Sequence, residues 1–335
     1  MTRIPVILAC DDRYAVHTGV TLASLLTNAA PQTEYHIRIL HAGLQPENVR
    51  RLLSLRALSV NAVVEEVNVG RAFATAPQRR ALPTATYYRL MAHMIVPEDK
   101  LIYLDSDTIV NRDLAELYKI DLGDTYCGGA LSPGAREGRI ATNLNTGEKV
   151  VFLDYLNQLG MPRGIATRFY IQAGTLLINA AKMRADRLEQ CFDRVIKNVN
   201  YLFAADQDVL NACTGERKTL LDLTWNYQTT LPRVRHQPQV RAWLRGQPEF
   251  ERQIEKYLHE LPAIVHFVYG KPWEARSLGS RYDHLYWHYL RLTPWRSMIR
   301  QRFSVTLLRP AYRLFRFVST AFAAVRRRGA MLRMK

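Results

Sequence analysis

Acidic residues directly follow two apolar runs in this sequence. Asp105 and Asp107 stand two positions apart directly after the apolar residues 101–104, and Asp11 follows an earlier apolar run. In open α/β sheets, ligands bind beyond the carboxyl ends of the strands. Carboxylate oxygens suit Mg²⁺ or Mn²⁺, and a diphosphate can supply further oxygen ligands. Asp105 and Asp107 therefore predict a divalent-cation site, with a solvated turn as the alternative for so short a motif.

The segment from His266 to Lys271 offers two further groups for the same chemistry. His266 lies in an apolar run that predicts a late strand, and Gly270 and Lys271 follow in a predicted turn. An imidazole that joins two carboxylates on one ion favours Mn²⁺, with Mg²⁺ as the alternative. The Lys271 ammonium is a group that binds phosphate. These residue types together predict a metal and phosphate site.

Strand and helix patterns alternate along the chain, which predicts an α/β fold with a mainly parallel sheet and helices on both faces. Residues 232–248 are rich in proline and arginine, and this composition predicts a surface loop. The predicted strands are 4–10, 35–41, 62–67, 101–104, 125–131, 170–179 and 263–268, and the predicted helices are 15–27, 46–58, 84–94, 180–199 and one that begins at 206.

Composition excludes several classes of protein. Of the 335 residues, 48% are hydrophobic and 23% are charged, which is typical of a globular protein and excludes a disordered chain, a collagen-like repeat and a polytopic membrane protein. The four cysteines are too scattered for a disulfide scaffold or a structural zinc site. Because the first apolar run is too short for a signal peptide, we expect a cytoplasmic protein with reduced thiols.

Most of the positive charge lies at the C-terminus. The net charge is +16, and residues 296–335 hold ten arginines, one lysine and no acid, so that +5 remains for residues 1–295. Arginines recur at spacings of 7, 4 and 3 from Arg302 to Arg316, with aromatic residues between them, and Arg326 begins a run of three. This pattern predicts a basic amphipathic helix on an anionic membrane. The alternatives are a helix packed on the body and a basic arm that binds nucleic acid.

We therefore predict two parts, a catalytic domain at 1–295 and a membrane-associating tail at 296–335. The tail predicts a peripheral protein on the cytoplasmic face of the inner membrane. Because the body carries little net charge and no recognised nucleic-acid-binding motif, we expect no nucleic-acid partner.

Six motifs occur in the order seen in glycosyltransferase family 8. They are Ala9-Cys10-Asp11-Asp12-Arg13-Tyr14-Ala15, Tyr87-Tyr88-Arg89-Leu90, Leu104-Asp105-Ser106-Asp107, Gln172-Ala173-Gly174-Thr175-Leu176-Leu177-Ile178-Asn179, Asp206-Gln207-Asp208-Val209-Leu210-Asn211, and His266 followed by Gly270-Lys271-Pro272-Trp273. Over about residues 4–275 the chain resembles the bacterial lipopolysaccharide galactosyltransferases and glucosyltransferases of this family, and more distantly glycogenin. The resemblance implies a GT-A fold.

The resemblance also implies roles for particular residues. It implies a retaining hexosyltransferase that uses UDP-galactose or UDP-glucose with Mn²⁺ and transfers the sugar to a saccharide or glycolipid acceptor, such as a lipopolysaccharide core. By position, Asp105, Asp107 and His266 would bind the metal; Ala9, Asp11, Tyr14, Arg89, Ser106, Gly270 and Lys271 the nucleotide donor; Gln172, Ala173, Gly174, Asp206 and Gln207 the sugar; and Gln207, Asp206, Asp208 and Arg89 would be catalytic.

Three positions depart from the family pattern around the sugar and ribose, namely Arg13, Ser132 and Gln172, so the choice between galactose and glucose stays open. Gln207 is a poor nucleophile, which favours same-face attack by the acceptor over double displacement.

One alternative enzyme is a sugar-nucleotide pyrophosphorylase. Such an enzyme usually begins with a glycine-rich phosphate loop, and the absence of glycine from residues 9–15 counts against it.

Overall fold

A seven-stranded sheet forms the centre of the molecule in the computed structural model, which describes residues 2–77, 83–275 and 278–300. The strands of the protein are β1 (Thr2–Ala9), β2 (Thr33–His41), β3 (Ala62–Asn68), β4 (Lys100–Leu104), β5 (Thr108–Val110), β6 (Cys127–Leu131), β7 (Ile140–Thr142), β8 (Lys149–Val151), β9 (Ile171–Asn179), β10 (Lys218–Leu221), β11 (Tyr227–Gln228) and β12 (Ile264–His266). The large sheet has the order β10-β6-β9-β4-β1-β2-β3.

This sheet is parallel except for β9, which runs antiparallel to both β4 and β6. Residues 4–10 are all buried, as expected for a strand covered on both faces. Because β1 and β4 are parallel neighbours, with Val6 opposite Ile102, the residues after both strands meet at one edge of the sheet. The mainly parallel α/β sheet is thus confirmed.

A smaller sheet of order β11-β12-β5 closes over this edge. Strand β12 pairs antiparallel with β5, and this register sets His266 opposite Thr108, directly after the acidic motif. Strand β11 pairs parallel with β12. A two-stranded hairpin of β7 and β8 stands separately. The smaller sheet therefore brings the late histidine to the carboxyl end of β4.

Helices cover the sheets. They are α1 (Ala15–Thr27), α2 (Pro46–Ser54), α3 (Ala92–Ile95), α4 (Ala115–Lys119), α5 (Phe152–Gln158), α6 (Arg163–Phe169), α7 (Ala180–Ala185), α8 (Leu188–Lys197), α9 (Asp206–Thr214), α10 (Leu231–Val234), α11 (Pro238–Leu244), α12 (Pro248–Lys256) and α13 (Asp283–Leu290), with 3₁₀ helices at Leu55–Leu58, Thr84–Met91, Leu223–Trp225 and Arg296–Arg300.

Two sequence-based predictions of local structure are wrong. The single helix expected over 180–199 is two helices, α7 and α8, because Arg187 adopts a left-handed backbone conformation with φ 51°. The loop expected at 232–248 instead contains α11, whose Val240 and Leu244 are buried. Two apolar residues one turn apart were enough to fix a short helix against the core, although the segment is rich in polar residues.

The cysteines differ from the expectation of reduced thiols. Cys191 and Cys213 form a disulfide that joins α8 to α9, with their Cα atoms 5.8 Å apart. Cys10 and Cys127 are free and buried. The disulfide ties a peripheral helix to the helix that begins at Asp206.

The last described residues, up to 300, include several that pack against the core. Trp295 packs directly on α1, where a Cβ on Gly19 would lie only 2.6 Å from the Trp295 ring, so this contact requires glycine. Met298 and Ile299 also pack against the core. The described part of the chain contains no helix that is long and apolar enough to cross a membrane. Residues 301–335, which hold most of the predicted tail, lie outside the described residues.

Candidate active site

A cavity of about 850 Å³ opens at the edge where β1, β4 and β12 end. Its wall includes most of the residues that the sequence predicted for the site, namely Ala9, Asp11, Tyr14, Arg89, Asp105, Ser106, Asp107, Gln172, Asp206, Gln207, His266, Gly270 and Lys271. Ala173, Gly174 and Asp208 do not line it. Residues far apart in sequence thus converge on one cleft.

The metal-ligand candidates are close together. Asp105, Asp107 and His266 each present a ligand atom, and these atoms lie within 4.8 Å of one another. The His266 Nε2 atom is 3.1 Å from Asp107 Oδ1 and 3.7 Å from Asp105 Oδ2. Two oxygens and one nitrogen at these distances can bind one divalent ion.

The His266 ring is oriented by a buried asparagine. Its Nδ1 atom lies 2.9 Å from Asn226 Oδ1, which can only accept, so Nδ1 carries the proton and Nε2 presents its lone pair to the carboxylates. The Asn226 amide donates in turn to Gln172 Oε1 at 2.6 Å. Asn226 is not among the predicted site residues; it is 40 residues from His266 and reaches it only because β11 and β12 are paired.

Gly174 makes room for this imidazole. A Cβ there would lie 2.1 Å from His266 Cε1 and 2.8 Å from Asp105 Oδ2, and both distances are too short for any other residue. The backbone at Gly174 also fixes the start of the acidic motif, since its carbonyl accepts from the Asp105 amide at 2.7 Å. Gly174 therefore shapes the metal site from behind and does not touch the cavity.

The donor set fits a divalent cation. Asp107 Oδ1 is buried and has no hydrogen-bond donor among the residues that the structure describes. With Nδ1 of His266 as the donor to Asn226, the facing Nε2 offers a lone pair and not a proton. Burial alone would raise the pKa of Asp107, but the charge of Lys271 lowers it below its ordinary value, so the carboxylate stays ionised at neutral pH. An anionic oxygen opposite an imidazole lone pair is stabilised by a bound cation.

Arg89 joins two carboxylates beneath the cavity. Its guanidinium lies 2.7 Å from Asp105 Oδ1 and 2.6 Å from Asp206 Oδ2, and it also donates to the carbonyl of Ala173. Burial would lower the pKa of Arg89, but the two carboxylates raise it, so it remains a cation. Burial raises the pKa of Asp206 to about 6 in spite of Arg89. Arg89 thus links the metal site to the start of α9.

Asp206 begins α9 directly after a strained residue. Ala205 has φ 49° and ψ −124°, a conformation that non-glycine residues rarely adopt. The Asp206 side chain accepts from Thr86 Oγ1 at 2.5 Å. Strain of this kind persists only where surrounding contacts impose it, and here it turns Asp206 toward the cavity.

Both the oxygen and the nitrogen of the Gln207 side-chain amide form hydrogen bonds. Its Oε1 accepts from the Ala173 amide at 3.1 Å, and its Nε2 donates to the Tyr170 hydroxyl at 3.0 Å. Tyr170 donates in turn to Asp208 Oδ1 at 2.6 Å. Asp208 is completely buried and also accepts from Tyr155 and the Ala204 amide. Asp208 is therefore placed to position Gln207 through Tyr170, away from any ligand.

The nucleotide-binding candidates at the β1 end are arranged around a short turn. Asp11 Oδ1 accepts from the Tyr14 amide at 2.9 Å. Ser106 donates to the Ala9 carbonyl at 2.8 Å, which fixes the acidic motif to the end of β1. Trp273 stacks on His17 with ring centroids 3.6 Å apart and is not part of the cavity lining.

We expect Asn226→Leu to weaken Mn²⁺ binding about 10–100-fold, because His266 loses the acceptor that fixes its tautomer and orientation. Isothermal titration calorimetry with Mn²⁺ measures this directly. Asn226→Asp is the matched control, since it keeps an acceptor oxygen for Nδ1 and should bind more tightly than Asn226→Leu. If Asn226→Leu binds Mn²⁺ as the unaltered protein does, Asn226 has no part in the site.

Comparison with known proteins agrees with this geometry. General stress protein A of Bacillus subtilis (strain 168) is 26% identical over 304 residues, which cover 87% of this chain and 95% of that protein. Lipopolysaccharide 1,2-glucosyltransferase of Escherichia coli is 22% identical over 302 residues, covering 86% of this chain and 78% of that protein. These relatives match most of the chain at low identity.

The crystal structure of galactosyltransferase LgtC with donor and acceptor sugar analogues aligns with a TM-score of 0.69 at 24% identity, covering 88% of this chain and 99% of that chain. The predicted GT-A fold is thus confirmed. The sequence model of Glycosyl transferase family 8 matches residues 5–277. Because the matching family consists of glycosyltransferases, the match favours glycosyl transfer over the alternative of a sugar-nucleotide pyrophosphorylase. Because the match spans most of the sequence, this chain belongs to glycosyltransferase family 8.

Proposed function

We propose that this protein is a retaining hexosyltransferase that moves galactose or glucose from a UDP-sugar to a saccharide acceptor, with Mn²⁺ held by Asp105, Asp107 and His266. The observation that carries the proposal is the convergence of these three side chains in one cavity. A pair of carboxylates with one imidazole suits Mn²⁺, and Mg²⁺ is the alternative ion.

The diphosphate of the donor would bind between the metal site and Lys271. The Lys271 ammonium contacts Asp107, and Gly270 before it has φ 78°, a left-handed conformation that suits glycine. Burial would lower the pKa of Lys271, but Asp107 raises it above its ordinary value, so the side chain stays a cation. Ala9, Asp11 and Tyr14 would form the nucleoside end of the site.

Transfer requires that negative charge be stabilised on the leaving UDP. A bound divalent cation supplies this neutralisation as a Lewis acid. Lys271 adds a second positive charge at the same diphosphate. The bond from the anomeric carbon to the diphosphate oxygen breaks, the acceptor oxygen forms the new bond on the same face, and the acceptor proton passes to the leaving diphosphate.

The positive charge that develops on the sugar would face Gln207 and Asp206. Gln207 is fixed by Ala173 and Tyr170, so its amide dipole cannot reorient freely. An amide is a weak nucleophile, and Asp206 is already engaged by Arg89 and Thr86. These contacts favour electrostatic stabilisation by Gln207 and Asp206, with Arg89 as the residue that holds Asp206, over covalent catalysis.

The acceptor would be a lipopolysaccharide or lipooligosaccharide core, or another lipid-linked glycan. One relative bears the name lipopolysaccharide 1,2-glucosyltransferase. The basic residues of the tail would hold the enzyme on the cytoplasmic face of the inner membrane, where binding to the surface raises the effective concentration of a lipid-linked acceptor.

Asp107→Asn should lower UDP release from the preferred UDP-sugar by more than about 100-fold, because the charge of one proposed ligand is lost. The assay measures UDP release from UDP-galactose, UDP-glucose, UDP-N-acetylglucosamine and UDP-N-acetylgalactosamine, with Mn²⁺ and after chelation. Asp193→Asn, an exposed change of the same type, is the control. Full activity of Asp107→Asn, or turnover that is independent of divalent metal, would refute the proposed metal site.

Same-face transfer predicts that no sugar becomes attached to the protein. The enzyme is incubated with donor in the absence of acceptor, quenched with acid and analysed by intact-mass spectrometry. We expect the unmodified mass, because Gln207 is a poor nucleophile and Asp208 lies outside the cavity. A hexosyl group on Asp206 or Asp208 would instead establish double displacement.

The full chain should sediment with vesicles that contain phosphatidylglycerol and stay in solution with phosphatidylcholine vesicles, since each cation near an anionic surface contributes about 1 kcal/mol. Replacing Arg302, Arg309, Arg313 and Arg316 by glutamine should abolish sedimentation. Equal binding by this variant, or preferential capture of an oligonucleotide by the unaltered chain, would exclude the membrane role.

A further inference from the structure

Two arginines in the cavity wall have no carboxylate partner. Arg136 and Arg139 both line the cavity and are half-buried. Arg136 donates to the Pro133 carbonyl at 2.7 Å and Arg139 to the Gly134 carbonyl at 2.6 Å. Within the described part of the chain, no acidic group forms an ion pair with either arginine, and the buried Nε of Arg136 has no acceptor. Much of the hydrogen-bonding capacity of both guanidinium groups is therefore unused.

Two exposed acids of this region, Glu137 and Asp154, are paired with another cation. Glu137, the residue after Arg136, pairs with Arg163 at 2.8 Å, and Arg163 also contacts Asp154. These acids are exposed, and Arg163 is not part of the cavity wall. Among the described residues, neither Arg136 nor Arg139 forms an ion pair, and Arg139 is close enough to the buried Asp208 only to lower the pKa of that carboxyl.

Placing two cations side by side is unfavourable without an anion. Burial lowers the pKa of Arg136, and the neighbouring charge of Arg139 lowers it further. Arg139 gains some stabilisation from the Phe152 ring, whose centroid is 3.8 Å from its Cζ atom. A phosphate or a carboxylate would satisfy both guanidinium groups, which present paired donors that match these anions.

The arginine pair lies on the Gln207 side of the cavity. A Cβ on Gly134 would be 3.2 Å from both Arg139 Nη1 and Tyr170 Cε1, so the guanidinium and the tyrosine ring flank the same glycine. The hydroxyl of Tyr170 binds Gln207. In contrast, the cation proposed for the donor diphosphate, Lys271, contacts Asp107. The two cationic groups therefore border different residues of the site.

We infer that Arg136 and Arg139 bind an anionic substituent, a phosphate or a carboxylate, carried by the acceptor saccharide. This inference rests on the proposed function and specifies the class of its acceptor. The donor supplies one diphosphate, for which Lys271 and the metal ligands already account. A neutral acceptor would leave two adjacent cations unpaired in the closed complex, whereas an anionic sugar neutralises them and fixes its own orientation.

Isothermal titration calorimetry at saturating UDP and Mn²⁺ tests this, because the donor end is then filled. The probes are glucose 6-phosphate, glucuronic acid and neutral glucose. We expect at least one anionic probe to bind about tenfold or more tightly than glucose, and the preferred probe distinguishes phosphate from carboxylate. Arg136→Gln should abolish this preference. Arg136→Lys should retain part of it, since lysine keeps the positive charge but lacks the paired donors of the planar guanidinium group. Arg168→Gln, an exposed change of the same type outside the cavity, should match the unaltered protein.

Arg139→Gln is the second variant, with its melting temperature recorded because Arg139 also packs on Phe152. Equal affinity for all three probes in the unaltered protein, or an unchanged preference in Arg136→Gln, would overturn the inference. Loss of UDP affinity in Arg136→Gln would instead assign the pair to the donor and also overturn it, while leaving the proposed transferase intact. Failure of the unaltered protein to bind UDP would count against the proposed function itself.

Discussion

The candidate active site requires that two carboxylates and the lone pair of one imidazole lie close enough together to bind a single ion. Asp105 and Asp107 repel each other, and Arg89 and Lys271 compensate them from opposite sides. Both aspartates follow β4 of the large sheet, and β12 of the smaller sheet, which pairs with β5, brings His266 to them. Asn226 and Gly174 then leave the imidazole one orientation and the space to adopt it. The proposed cation would stabilise the whole cluster, because it would neutralise the two carboxylates and bind the imidazole nitrogen.

Much of the fold could be predicted from local pattern. Apolar runs predicted the buried strands β1 and β4, and the spacing of the strands predicted the helices between them, because a sheet covered on both faces favours apolar residues. The errors lie where no periodic pattern could help. One left-handed residue, Arg187, divides a predicted helix, and α11 is fixed by tertiary contacts of Val240 and Leu244. The pairing of β12 with β5 joins segments more than 150 positions apart, so residue types and family resemblance, and not a local pattern, predicted that His266 meets the two aspartates.

The site contains two pairs of aspartates two positions apart, and only in one pair do both side chains face the cavity. Asp105 and Asp107 lie in the turn between β4 and β5, and both reach the cavity. Asp206 and Asp208 lie on α9, where positions two apart do not share a face. Asp206 therefore faces the cavity, and Asp208 turns inward to bind Tyr170 and Tyr155. The motif alone could not separate these roles, since the separation depends on the backbone that carries it.

The most direct measurement of the central claim is anomalous X-ray diffraction at the manganese edge from crystals grown with Mn²⁺ and UDP. We expect one strong peak within coordination distance of Asp105, Asp107 and His266 Nε2, with the UDP diphosphate completing the shell beside Lys271. A peak elsewhere, or an ion that binds UDP but none of these three side chains, would contradict it.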